Sequence, residues 1–166
     1  MAIDFEKIWQ NNIAQFVLSD FSFHGQVHWR QVETNGLRLA RINGADQKLV
    51  RLFAVYHDAK RENEGHDPKH GHRAAELALE DHGVLFSLEQ DDLDKLVYAL
   101  QFHNGGHVSD DLAIGTCWDA DRMDLPRVGA KIAPKYMSTE LGMDYAVRGE
   151  KAFSDPSSLQ DKRKRS

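Results

Sequence analysis

Residues 49–70 read LVRLFAVYHDAKRENEGHDPKH, and the fold turns on how the first half of that stretch is buried. Leu49, Leu52, Phe53, Tyr56 and His57 fall at i, i+3, i+4, i+7 and i+8, the spacing of a helix face that points into a core. His57 therefore stands where a leucine is expected. Burying an imidazole beside the carboxylate of Asp58 costs free energy unless both are paired or ligate a cation. The pair requires partners from elsewhere in the chain.

Other stretches carry a similar pattern. A helix over about 24–42, with Ser22 as N-cap and Asn43-Gly44 as its stop, stacks His28, Val32, Asn35 and Leu39 on one face. His24 lies one turn earlier. Asp46 is placed to cap a helix over about 47–58, and the polar segment after it, ending in Asp67-Pro68, reads as a loop over the mouth of the site. A helix over about 69–81 aligns His70, Ala74, Leu77 and Ala78 and leaves His72 on the far side. His82, beside Gly83, reads as a helix-end residue favoured by the helix dipole. Over about 90–103, His103 continues the stripe of Leu93, Leu96, Val97 and Leu100. Over about 110–123, Ile114, Trp118 and Asp121 share the inward face, whereas Asp119 falls on the other side with Leu112 and Thr116; Pro126 stops the helix. An opening helix over 4–18 and short helices around 133–137 and 143–151 complete an all-α reading, because no segment alternates as a strand does.

Composition narrows the function classes. A chain of 166 residues with 41% hydrophobic content suits one domain, expected over 1–153, with a polar basic tail over 154–166. The tail reads as a solvated terminus rather than a nucleic-acid or targeting signal. A net charge of −5 gives no global basic footprint, which argues against a nucleic-acid polymer as partner. The lone Cys117 excludes an intrachain disulfide and a cysteine-rich zinc site. No apolar run approaches a membrane span and MAIDFEKIW is not a signal peptide, so a cytoplasmic protein without a membrane partner is expected. Nine histidines all lie between positions 24 and 107. A histidine-rich surface would scatter them, yet several fall on apolar faces.

Five helices thus direct His28, His57 with Asp58, His70, His103 and Asp121 inward. One inward histidine is commonly a satisfied core residue; five such helices ask for a shared reason, since each buried imidazole needs a partner. Mixed histidine and aspartate ligation suits a divalent Mn, Fe, Co, Ni, Zn or Mg ion better than calcium.

The ordered set HGQVHWRQV around His28, YHDAKRE at His57-Asp58, KHGHRAAELA at His70, QFHNGG at His103 and WDADRMD at Asp121 resembles the HD-domain superfamily of metal-dependent phosphohydrolases. The resemblance covers roughly His24 to Asp121. It implies a single-domain helical bundle with a metal held in its core by His28, His57, Asp58 and Asp121, and a second, in dinuclear members, held by residues matching His70 and His103. The ligand aspartate of the family commonly precedes a basic residue, which matches Asp121-Arg122, and the helical stripe favours Asp121 over Asp119 as well.

The activity implied by the resemblance is hydrolysis of a phosphate ester in a small phosphorylated substrate, a nucleotide above all. Asp58 is expected to bridge metals and orient water. Arg61, with Lys60 and Arg73, is placed to neutralise phosphate, and Glu62 or Glu64 to orient water or take a proton. A GYP-type signature is missing after the HD pair, which sets aside a cyclic-di-GMP phosphodiesterase. Two alternatives remain: a di-iron oxygenase, as some members of the superfamily are, and a sensory module that holds metal and ligand without turnover. The bond cleaved, the number of metals, the roles of His24, His66 and His72, and whether the chain forms a homo-oligomer are left open.

Overall fold

The computed structural model describes residues 2–155. Its elements are α1 (Phe5–Gln15), α2 (Gln26–Asn43), α3 (Gln47–Tyr56), α4 (His70–Asp81), α5 (Gln90–Phe102), α6 (Leu112–Arg122), α7 (Glu140–Arg148) and the short α8 (Lys151–Ser154). Single 3₁₀ turns cover Leu125–Val128 and Pro134–Tyr136. Among the described residues there is no strand, only an isolated bridge between His82 and Phe86. No helix among them is long and apolar enough to cross a membrane. Residues 156–166, which hold most of the expected polar tail, lie outside the described residues.

The plan follows from α3. Leu49, Val50 and every residue from Leu52 to Ala59 are buried, so the expected stripe widens to nearly the whole circumference, as for a helix enclosed on all sides. Helices α1, α2, α4, α5 and α6 pack against it. Complete burial of side chains such as Leu52 and Phe53 contributes roughly 1.5–3 kcal/mol each. Asp46 starts the helix as expected, its carboxylate accepting from the N–H groups of Lys48 and Leu49. Buried amides lock its neighbours: Asn12 Nδ2 donates to the Val55 carbonyl, and Asn35 Nδ2 to that of Ala120.

Two glycines set the close approaches that bring polar side chains together. A Cβ on Gly36 would stand 2.2 Å from Val50 Cγ1, and one on Gly71 would stand 2.6 Å from the Leu100 carbonyl oxygen. Helices α2 and α3, and α4 and α5, are therefore closer than side chains at those points allow.

Two boundaries differ from expectation. Helix α1 ends at Gln15, where Phe16 turns extended and packs edge-on against Trp29. Helix α2 begins at Gln26 with Gly25 rather than Ser22 at its cap, because the Ser22 hydroxyl is spent on the N–H of His24 in a preceding turn.

Candidate metal centre

Helix ends converge near the C-terminal end of α3. His57 and Asp58 follow its last turn, His28 lies in the first turn of α2, His70 opens α4, His103 follows α5, and Asp121 lies in the last turn of α6. Two groups form around one carboxylate: His28, His57 and Asp58, and Asp58, His70 and His103, all buried. Nε2 atoms of His28 and His57 stand 3.0 Å apart, and those of His70 and His103 2.8 Å apart. Asp58 Oδ2 lies 3.8 Å from Nε2 of both His28 and His57, while its Oδ1 lies 3.2 Å from Nε2 of His70 and 3.6 Å from that of His103. Asp121 Oδ1 joins the first group, 3.1 Å from His28 Nε2 and 3.7 Å from His57 Nε2.

The hydrogen bonds assign the tautomers. Nδ1 of His57 faces the Ala54 carbonyl at 2.9 Å, that of His103 the Leu100 carbonyl at 2.7 Å, and that of His70 the Asp67 carbonyl at 2.5 Å. A carbonyl only accepts, so each Nδ1 carries the hydrogen and each neutral ring turns a bare Nε2 lone pair inward. Two bare lone pairs facing each other at these distances repel unless a proton or a metal ion lies between them; the raised pKa values of His28 and His103 let a proton fill that place until a metal displaces it. Donor atoms on one ion at about 2.1 Å stand roughly 3.0–3.4 Å apart, so the residues fit a metal. Backbone carbonyls and Asp124 holding the outer nitrogens are also what orients histidine ligands in metal sites.

Charge points the same way. Burial drives the His57 pKa down to about 3, so the ring is neutral. Burial would also lower His28, but the carboxylates of Asp121 and Asp124 overcome it and raise its pKa to about 9. For His103, Asp58 likewise outweighs burial and raises the pKa. Asp58, despite burial, is held well below the usual carboxylate range by His57, His103, His24 and His70. The pocket favours positive charge between its histidines.

The remaining expected residues divide. Asp119 is on the far face of α6, as expected, but it is fully buried there: it accepts from the N–H groups of Ser138 and Thr139 and from the Thr139 hydroxyl, which caps α7. Arg61 is buried against His70 and donates to the carbonyls of Asn63 and Gly65. Arg73 does not face the cluster; it clamps Asp67 through Nη2 at 2.7 and 2.8 Å and ties down the loop. Glu62 is exposed and pairs with Arg73 at 3.5 Å, so the structure does not bring it to the histidines. Glu64 is exposed as well. His66 and His72 are exposed, and His82 bonds to the backbone of Leu88.

Two further participants join the cluster: Asp124, which emerges only from the structure, and His24, whose place one turn before His28 had left its role open. Asp124 Oδ2 takes the Nδ1 hydrogen of His28 at 2.7 Å; its three-residue spacing from Asp121 is the signal in the sequence that could have found it. His24 reaches Asp58 Oδ2 at 3.2 Å from the loop before α2.

No protein-family model, curated protein or solved structure matches this chain. The chemistry open to the centre is set by its own donors.

Proposed function

We propose that the chain is a metal-dependent phosphohydrolase built as an HD-type bundle, cleaving a phosphate ester of a small substrate, with nucleotides the leading class. The observation that carries this reading is the divided carboxylate of Asp58, one oxygen toward His28 and His57 and the other toward His70 and His103. His28, His57, Asp58 and Asp121 would hold one ion, and Asp58, His70 and His103 a second. Divalent ions so held supply a water acidic enough to attack near neutral pH and offset charge on the phosphoryl oxygens.

The chain's own groups complete the chemistry. Arg61 spends its hydrogen bonds on neutral carbonyls, which leaves its charge for a phosphate. His24, with a side chain 15% exposed at the edge of the cluster, holds Asp58 Oδ2 in place. Asp124 fixes the ring plane of His28. The four-histidine, two-carboxylate set also suits a pair of irons, so a di-iron oxygenase on the same fold is the second reading.

The test is phosphate release from nucleoside mono-, di- and triphosphates and cyclic nucleotides, with added Mn, Co, Ni or Mg. Selective release that Asp58→Ala abolishes is expected. Full activity in metal-free Asp58→Ala protein would contradict the mechanism. Metal without turnover points to a ligand-binding module, and two irons with oxygen uptake to the oxygenase.

A further inference from the structure

Three large apolar side chains crowd one rim beside the centre with nothing among the described residues covering them: Phe21 is 94% exposed, Phe23 60% and Val27 77%. They border a cavity of about 360 Å³ that His28 and Asp124 also line, and His28 joins it to the candidate metal centre, with Asp124 on its outer nitrogen. The segment carrying the two phenylalanines is bonded from within. Ser22 N–H donates to the Ser19 carbonyl, Gly25 N–H to the Ser22 carbonyl and Phe21 N–H to the Ser19 hydroxyl. Arg127 Nε pins the Phe23 carbonyl at 2.8 Å, and Trp29 Nε1 pins the His24 carbonyl at 2.7 Å. The exposed rings are therefore presented by a fixed backbone, and His24 of the same segment reaches Asp58.

We propose that this cavity is the subsite for the organic half of the substrate, and that this half is a flat, uncharged aromatic group. The position of the phosphate in this proposal rests on the phosphohydrolase reading; the cavity and its chemistry do not. Aromatic rims of this kind take ring systems by stacking, because every base has a π-face. The volume lies at the small end of the range for small-molecule sites, enough for one ring system and short of a large ligand. Charge sets the second condition. Asp20 and Asp124 both line the cavity, and Arg127 pairs with Asp124 at 3.7 Å and donates to its carbonyl. With Arg127 already engaged by Asp124, a second anionic group placed there meets the carboxylate of Asp20 without a free cation among the lining residues, so the structure favours nucleoside monophosphates and aryl phosphates over substrates with a charged tail on that side.

The experiment compares phenyl phosphate, methyl phosphate, inorganic phosphate and adenosine as ligands of the metal-loaded protein by calorimetry, in wild type and in a Phe21→Ser, Phe23→Ser variant. Both side chains are exposed, so the variant is expected to fold and to keep its metal. Phenyl phosphate should bind wild type tighter than methyl phosphate and lose about tenfold or more in the variant, while inorganic phosphate binds both equally. Equal binding of phenyl and methyl phosphate, unaltered in the variant, overturns the subsite and leaves the phosphohydrolase reading standing. If no phosphate binds and none is released from any ester, that reading fails instead. Adenosine then decides the cavity: binding lost in the variant upholds it, and no binding to wild type overturns it.

Discussion

Replacing Asp119 by alanine should make the chain easier to unfold without changing how much metal it takes up. The carboxylate is fully buried and accepts three hydrogen bonds of 2.7–2.8 Å from residues 138 and 139. Truncation strands the buried Thr139 N–H, which costs about 1–3 kcal/mol, and removes charge-assisted bonds to the half-buried Ser138 N–H and the Thr139 hydroxyl. Together these come to about 2–4 kcal/mol, the lower end reflecting the relief of a carboxylate whose pKa burial raises. With a urea dependence of about 2 kcal/mol per molar, the unfolding midpoint falls by about 1 M or more. Urea unfolding with a chelator present removes any contribution from bound metal. Asp121→Ala is the counterpart, expected to lower metal content, and in the chelated protein to cost stability only through its pairing with His28. The assignment of the two aspartates is refuted if Asp119→Ala shifts the midpoint by less than about 0.3 M, or if it loses metal while Asp121→Ala retains it.

Three further outcomes are expected. His57→Ala should lose metal and hydrolysis together, whereas His82→Ala loses only its bonds to Leu88, about 1 kcal/mol, with metal and activity intact; metal analysis and phosphate release read both. Gly71→Ala drives a methyl to within 2.6 Å of Leu100 O and 2.9 Å of Gln101 O. It should cost about 1–3 kcal/mol and weaken metal binding at His70 and His103, which flank that contact; unchanged titrations would count against the close approach. His28, with its pKa raised to about 9, is protonated at pH 7.5 before metal binds and must lose that proton to ligate. Metal uptake at that pH should therefore release about one proton or more, read by calorimetry in buffers of different ionisation enthalpy, and zero release would contradict the charge balance of the centre.

Helical periodicity is enough to turn His28, His57, His70, His103 and Asp121 inward, because each continues a stripe of apolar side chains and burial follows the stripe. Asp46 and Gly44 are legible for the same local reason: capping and left-handed closure depend on one or two residues. Asp119 belongs by its spacing to the outer face of α6, yet a segment about twenty residues later covers that face, and no local pattern announces a contact at that distance. The cluster's outer supports are harder still to see. Asp124 lies past the helix end, and His24 reaches Asp58 from a turn built on Ser19 and Ser22. Arg61, Glu62 and Arg73 share one polar stretch, and composition alone does not tell a buried guanidinium from a loop clamp or a solvated carboxylate. Their separation depends on Asp67, which folds the loop around itself.

The most direct test of a shared Asp58 between two ions is the metal content of the purified chain by mass spectrometry, taken for wild type, Asp58→Ala, His70→Ala and His103→Ala in parallel. Up to two divalent ions per wild-type chain are predicted, with loss of one equivalent in either histidine variant and loss of both in Asp58→Ala. A wild-type chain that binds none of Mn, Fe, Co, Ni, Zn or Mg under any condition would contradict that claim.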